Sequence, residues 1–179
     1  MSEFYEMTIA GLKRKLPLCA INDKLDIAAF IMLGDVEITV ASAKALLEKV
    51  PEFDCIITAE CKGIPLAYEM ARQSGKKYVV ARKGQKKYFI NPISVETESI
   101  TTAGKQVLSI GEDEISALKG KRVLIADDVV STGESLAAVE KLVEMAGGNI
   151  VGRAFVLAEG DAKDMKNIVY LEPLPLFFK

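Results

Sequence analysis

Two adjacent carboxylates, Asp127 and Asp128, close the apolar run Val123-Leu124-Ile125-Ala126, and the turn Ser131-Thr132-Gly133-Glu134-Ser135 follows them. Such a turn suits a phosphate. Successive backbone N–H groups form an anion nest, the positive end of a following helix points at the same spot, and the hydroxyls of Ser131, Thr132 and Ser135 add donors. Gly133 lets the backbone approach closely. The Glu134 carboxylate would repel a phosphate, so it is expected to face solvent. The two aspartates suit another task. Carboxylates beside a sugar stabilise the positive charge that builds on its anomeric carbon when a leaving group departs. The strand–turn–helix order puts acids and phosphate donors together at the carboxyl end of a strand, where open α/β sheets bind ligands. Two plainer readings stand beside this one: a solvated strand end with an ordinary helix cap, and a paired-acid magnesium site of the receiver-domain kind.

A second strand–loop–helix unit carries a cation. The apolar strand Cys55-Ile56-Ile57-Thr58 leads into Ala59-Glu60-Cys61-Lys62-Gly63, and Pro65 suits the first turn of the next helix. Lys62 would offer a point charge to a phosphate, not a bidentate fork. A third strand, Tyr78-Val79-Val80-Ala81, ends in Arg82-Lys83-Gly84, and Lys86 and Lys87 prolong the positive charge.

Together these stretches resemble the type I phosphoribosyltransferases, whose signature is a hydrophobic strand, two acids, two variable residues, a small or acidic residue, then Thr-Gly and a small or polar pair. The resemblance has good motifs from about residue 53 to residue 156. It implies an α/β fold with a parallel sheet, helices on both faces, a flexible β-arm near residues 84–110 and a small amino-terminal hood. It implies that 5-phosphoribosyl 1-pyrophosphate (PRPP) is bound with Mg2+, the metal riding on the pyrophosphate and reaching Asp127 and Asp128 at most through water. By the same resemblance Ser131, Thr132, Gly133, Glu134 and Ser135 hold the 5′-phosphate, and Asp127 and Asp128 contact the ribose hydroxyls. Glu60-Cys61-Lys62-Gly63 looks like the pyrophosphate loop of purine members, and Arg82 and Lys83 match an Arg-Lys pair that reaches the pyrophosphate in adenine enzymes. The resemblance also implies a catalytic arm glutamate, best matched by Glu98 and next by Glu96. Glu134 departs from the pattern, since many relatives carry Gly or Lys there.

The resemblance implies an adenine phosphoribosyltransferase of purine salvage, making AMP and pyrophosphate, cytoplasmic and homodimeric. Hypoxanthine–guanine enzymes of the long-studied type place an Asp where this chain has Ser131, which tilts the reading toward adenine or xanthine. A xanthine or hypoxanthine–guanine enzyme stays open: Thr58-Ala59-Glu60 and Gly63-Ile64-Pro65 also resemble the loop of archaeal hypoxanthine–guanine enzymes, and Ser99-Ile100-Thr101 weakly resembles the xanthine arm. A non-catalytic sensor of PRPP or nucleotides is the alternative from another class.

The elements that must position these residues follow from periodicity. Tyr5, Ile9, Leu12 and Leu16 fit helical spacing, closed by Pro17, with Lys13-Arg14-Lys15 as a solvated face. Leu18 to Leu33 is apolar and matches the purine hood by position; Phe30 and Ile21 are candidates for the base, with core packing the plainer expectation. Asp35 to Val50 reads as a helix. Strands Cys55–Thr58, Tyr78–Ala81, Arg122–Ala126, Ile150–Leu157 and Ile168–Leu171 alternate with helices Pro65–Gln73 and Glu134–Ala146, the pattern of a covered parallel sheet. Ser94 to Thr102 and Lys105 to Ile110 read as a two-stranded arm with a mobile tip, which would exclude water from an activated sugar.

The 179 residues suffice for one domain. Half are hydrophobic and the net charge is −2, which leaves no electrostatic footprint for nucleic acid. No apolar run spans a membrane. The chain has no histidine, so the usual neutral-pH acid/base is missing. Its three cysteines, Cys19, Cys55 and Cys61, have no metal-ligand spacing. Cys55 reads as buried packing, Cys61 as a candidate reactive thiol, and reduced thiols of the cytosol are expected.

Overall fold

The computed structural model describes residues 4–99 and 102–179, with the side chains of 98–99 and 102–105 outside the description. The chain opens with β1 (Phe4–Ile9) and β2 (Leu12–Asn22), an antiparallel hairpin in which Ile9 pairs with Leu12. This corrects the helix expected over residues 5–16. Tyr5, Met7 and Ile9 point inward on alternate positions, as do Leu12, Arg14 and Leu16. The two-residue turn puts Ala10 and Gly11 at φ 49° and 81°, the backbone of a tight hairpin. Arg14 is no solvated helix residue either. Its guanidinium spans β2 to the next helix, 2.7 Å from Asp35 and 2.9 Å from Glu37. β3 (Leu25–Ala28) completes the sheet with the carboxyl-terminal β11 (Leu176–Phe178), in the order β1-β2-β3-β11. Among the described residues, the amino-terminal 50 therefore hold three strands and a single helix, α1 (Val36–Leu47), capped by the Asp35 side chain.

The main sheet has seven strands. β4 (Cys55–Ala59), β8 (Arg122–Val130), β9 (Asn149–Glu159) and β10 (Val169–Leu174) run parallel with β5 (Lys77–Lys83). The arm, β6 (Ile93–Ser99) and β7 (Thr102–Ile110), joins its edge antiparallel, giving the order β10-β9-β8-β4-β5-β7-β6. This is the expected mainly parallel sheet. α1 and α2 (Ile64–Ser74) cover one face, where Ile38, Leu46, Leu66 and Met70 pack on Ile56, Leu124 and Ala126. α4 (Glu134–Met145) and α3 (Glu112–Leu118) cover the other, where Leu142, Val143 and Leu118 pack on Ile57, Val123 and Ile125. α3 carried no reading in the sequence. The hood sheet joins the first of these cores through Ile9, Leu16, Ala28 and Phe30.

β8 is longer than the sequence suggested. It runs on to Val130, so both aspartates lie inside the strand and not beyond its end. Among the described residues no helix is long and apolar enough to cross a membrane.

Candidate active site

Alternation along β8 decides what the two acids can do. Asp128 continues the row of Leu124 and Ala126, and Asp127 that of Val123 and Ile125, so neighbours in sequence diverge in space. The Asp127 carboxylate turns back, accepting the Asp128 N–H at 2.8 Å. Asp128 is 3% exposed. No regular hydrogen bond reaches its buried Oδ2 among the described residues; Lys62 Nζ lies 2.9 Å away and forms the ion pair that offsets the burial. Burial and the adjacent Asp128 charge push the Asp127 carboxyl well above the usual carboxylate range. The Lys62 ammonium is raised as well, for a different reason. Burial pulls its ammonium down, but the charges of Asp128, Asp127 and Glu159 more than restore it and hold it protonated.

Lys62 is aimed by the loop that carries it. The Glu60–Cys61 peptide is cis, and Gly63 caps α2 with Pro65 in its first turn. Gly63 permits the closest approach in the site: a β-carbon there would run into Oδ1 of Asp127 and Oγ1 of Thr58. The loop thus lies directly against the acid pair. Glu60 does not point at the acids. It accepts the Lys83 N–H at 2.7 Å and the Arg82 guanidinium at 3.2 Å, with Lys86 Nζ at 3.7 Å. Burial works against its charge, and the Lys83 N–H and Arg82 outweigh that, leaving its pKa lowered. Glu60 therefore ties the loop to the end of β5.

A cleft of about 420 Å³ collects these groups. Its floor is Asp127, Asp128 and Lys62; Ser131, Thr132, Glu134 and Ser135 form one end; Glu60, Cys61 and Lys83 line a side. A smaller cavity of about 60 Å³ lies under the turn, bounded by Ser131, Thr132, Gly133, Ser135 and Asp127. Gly133, at φ 84°, precedes α4 with no side-chain cap, so the first N–H groups of that helix stay available to an anion. Glu134 is exposed, and it also lines the cleft beside the turn. The exposed Cys61 reaches the cleft and Cys55 is buried.

Several expectations change. Arg82 does not line the cleft: Glu60 holds it on one side and Tyr88 Oη accepts its Nη1 at 2.9 Å on the other. Lys83 alone of the pair reaches the cavity. Phe30 is both core and cleft wall, whereas Ile21 is exposed and away from it. The backbone of Glu98 lies in β6 opposite Lys105, while its side chain, like residues 100 and 101 of the Ser99-Ile100-Thr101 stretch, lies outside the described residues. Glu96 is exposed and does not line the cleft. Among the described residues of the arm, Thr97, Gln106 and Leu108 face the cavity, and the sequence reading missed all three. It also missed Glu159, although the signal was there: a lone acid closing the apolar run Ala154–Ala158, in the manner of Asp127 at the end of its own run.

The hard carboxylate oxygens of Asp127 and Asp128, one of them buried without a regular hydrogen bond, suit a magnesium ion delivered by a ligand. An anion-binding turn, paired acids and a lysine loop converge on one cavity. That arrangement can hold a phosphorylated sugar at one end and a polyanionic leaving group at the other.

Comparison with known proteins agrees in kind. Residues 36–173 match the model of the phosphoribosyl transferase domain. A hypoxanthine/guanine phosphoribosyltransferase of Methanococcus voltae is 41% identical over 111 residues, 62% of this chain and 55% of that protein. An adenine phosphoribosyltransferase of Bifidobacterium longum is 36% identical over 118 residues, 64% of this chain and 58% of that protein. The matched segment thus spans little more than half the length of these relatives. In three dimensions, the adenine phosphoribosyltransferase of Thermoanaerobacter pseudethanolicus superposes with a TM-score of 0.66 at 26% identity, covering 96% of this chain and 95% of that one. With residues 36–173, most of its length, matched by the domain model, the chain belongs to the phosphoribosyl transferase domain family.

Proposed function

We propose that this protein is a purine phosphoribosyltransferase that moves 5-phosphoribose from PRPP to adenine, giving AMP and pyrophosphate. The observation that carries the reading is the convergence of the Asp127–Asp128 pair, the Ser131–Ser135 turn and the Lys62 loop on one cleft. The turn and the uncapped start of α4 bind the 5′-phosphate. Asp127 and Asp128 hold the ribose hydroxyls and stabilise the cationic sugar as the C1–O bond to pyrophosphate breaks and the C1–N bond to the base forms. Lys62 and Lys83 receive the charge of the departing pyrophosphate. Magnesium on that diphosphate would neutralise part of its charge. Thr97, Gln106 and Leu108 of the arm screen the reacting atoms from water, and Glu98 is the arm residue proposed to handle a proton at the base. The enzyme works as a homodimer in the cytoplasm.

Adenine is favoured by the relatives so named and by Ser131, which replaces the acid of hypoxanthine–guanine enzymes. The 41% identity to a hypoxanthine/guanine enzyme favours the second reading. The test is pyrophosphate release from PRPP and magnesium with adenine, hypoxanthine, guanine and xanthine in turn. Fast release with adenine is expected; release with another purine transfers the assignment to that base, and PRPP binding without release from any base makes the protein a sensor. Light scattering should give the mass of two chains, and a single-chain mass at micromolar concentration refutes the dimer.

A further inference from the structure

One acid of the cleft has no part in the chemistry above. Glu159 is the last residue of β9, on the strand next to β8, opposite Leu174 of β10. It lines the cleft on the hood side. Gly160 packs against Leu176, and Leu176 pairs with Ile27, so the end of β9 sits directly beside the hood sheet. Ile27, Phe30, Ile31 and Leu174 give the same cleft an apolar hood side, and Lys62 is the charge that acts on Glu159. Among the described residues its carboxyl makes no hydrogen bond or ion pair; Lys62 acts on it only at longer range, and partial burial still raises its pKa.

A partly desolvated carboxyl without a partner needs an N–H donor. Phosphate, pyrophosphate and ribose cannot be what it meets first. The first two carry like charge, and the acid pair already serves the third. The remaining occupant, suited to the apolar hood residues of this cleft, is the flat, neutral base. We propose that Glu159 is the specificity-determining residue of the hood, its carboxylate accepting the exocyclic 6-amine of the base and repelling the oxygen of a 6-oxopurine. This rests on the purine reading above and narrows it to 6-aminopurines.

The test compares binding of AMP and IMP by titration calorimetry to the wild type and to Glu159→Gln, with PRPP binding as a control for folding. The carboxamide keeps the shape of the side chain, and it can turn to donate to an oxygen as readily as it accepts from an amine. The wild type should prefer AMP over IMP by about 10- to 100-fold, the range for one charge-assisted hydrogen bond. Glu159→Gln should bring the two within about 3-fold while PRPP binding stays unchanged. An AMP preference that survives Glu159→Gln, or a wild type that binds IMP as well as AMP, overturns the proposal. Failure of the transferase reading looks different: the nucleotide preference depends on Glu159, yet no purine yields pyrophosphate.

Discussion

One methyl group at Gly63 is expected to disable the cleft while leaving the fold standing. A β-carbon there collides with Oδ1 of Asp127 and Oγ1 of Thr58, and its distance to Cγ of Asp127 would be 3.0 Å. Thr58 is fully buried inside β4 and cannot withdraw. The Asp127 carboxylate is the softer neighbour, restrained by the 2.8 Å hydrogen bond from Asp128 N–H. Relief of the clash therefore moves Asp127. Overpacking of this kind costs about 1–3 kcal/mol, which for a chain of this length lowers Tm by roughly 2–12 °C. The effect on turnover should be larger, because displacing a reacting group by about 1 Å costs on the order of 100-fold. Gly120→Ala is the matched control. Gly120 sits at φ 69° with nothing near an added β-carbon, in the turn after α3 and outside the cleft, so the variant carries about 1–2 kcal/mol of backbone strain without touching the acids. Pyrophosphate release would be measured well below both melting temperatures, beside thermal unfolding. The expected result is comparable loss of Tm in the two variants, with kcat/KM reduced about 100-fold or more in Gly63→Ala and by less than about 3-fold in Gly120→Ala. If Gly63→Ala turns over like the control, the loop does not set the position of Asp127 and the reasoning fails.

Asp128→Asn should lower kcat by orders of magnitude with little change in the KM for PRPP, because it removes a charge felt mainly in the transition state; near-normal turnover refutes the role. Asp127→Asn should abolish turnover yet raise stability at neutral pH. The folded-state pKa of Asp127 lies above its unfolded value, so its ionisation costs stability as pH rises above about 4, and removing it returns that cost. The gain in Tm should be present near pH 8 and vanish below about pH 4, and a Tm at neutral pH below that of the wild type would contradict the raised pKa. Arg82→Ala, removing a partly exposed ion-pair partner of Glu60, should raise the KM for PRPP by less than about 5-fold. Lys83→Ala, removing a charge at the cleft, should raise it by about 10-fold or more, and the reverse order would show that Arg82 leaves Glu60 to meet the pyrophosphate.

What the sequence made legible were features confined to one stretch of chain. An apolar run broken by two acids, then a turn of hydroxyls and glycine, places Asp127 to Ser135 without any knowledge of distant residues, and the same holds for Cys55 to Gly63. The amino-terminal hairpin was illegible for a definite reason. Tyr5, Ile9, Leu12 and Leu16 sit at helical spacing, but they are a subset of a period-2 pattern whose remaining inward positions are filled by Met7 and by Arg14, an ion-pair partner of Asp35. A charged residue on the inner face hid the alternation, and the turn at Ala10-Gly11 made the two strands look continuous. The arm is a different case: the resemblance drew attention to glutamates, of which Glu96 stays outside the cleft and the Glu98 side chain lies outside the described residues, while Thr97 and Gln106 line the cleft.

The larger gap concerns charge. Sequence places two carboxylates side by side, and two such groups on a buried strand are unstable unless something answers them. The answer comes from Lys62 on a loop 66 positions before Asp128, reaching Oδ2 at 2.9 Å, and from the raised pKa by which Asp127 answers its neighbour's charge. Neither can be read locally. Lys62 is half exposed, with 48% of its side chain accessible against 4% for Asp128, so the balance is struck at the cleft surface, where an incoming polyanion competes for the same ammonium. If PRPP draws Lys62 toward its pyrophosphate, Asp128 loses its partner at the moment a sugar hydroxyl or a metal-bound water arrives to replace it. On the proposed reading the Lys62–Asp128 ion pair holds the place that the ligand takes, which accounts for a pair buried on the Asp128 side and open on the Lys62 side.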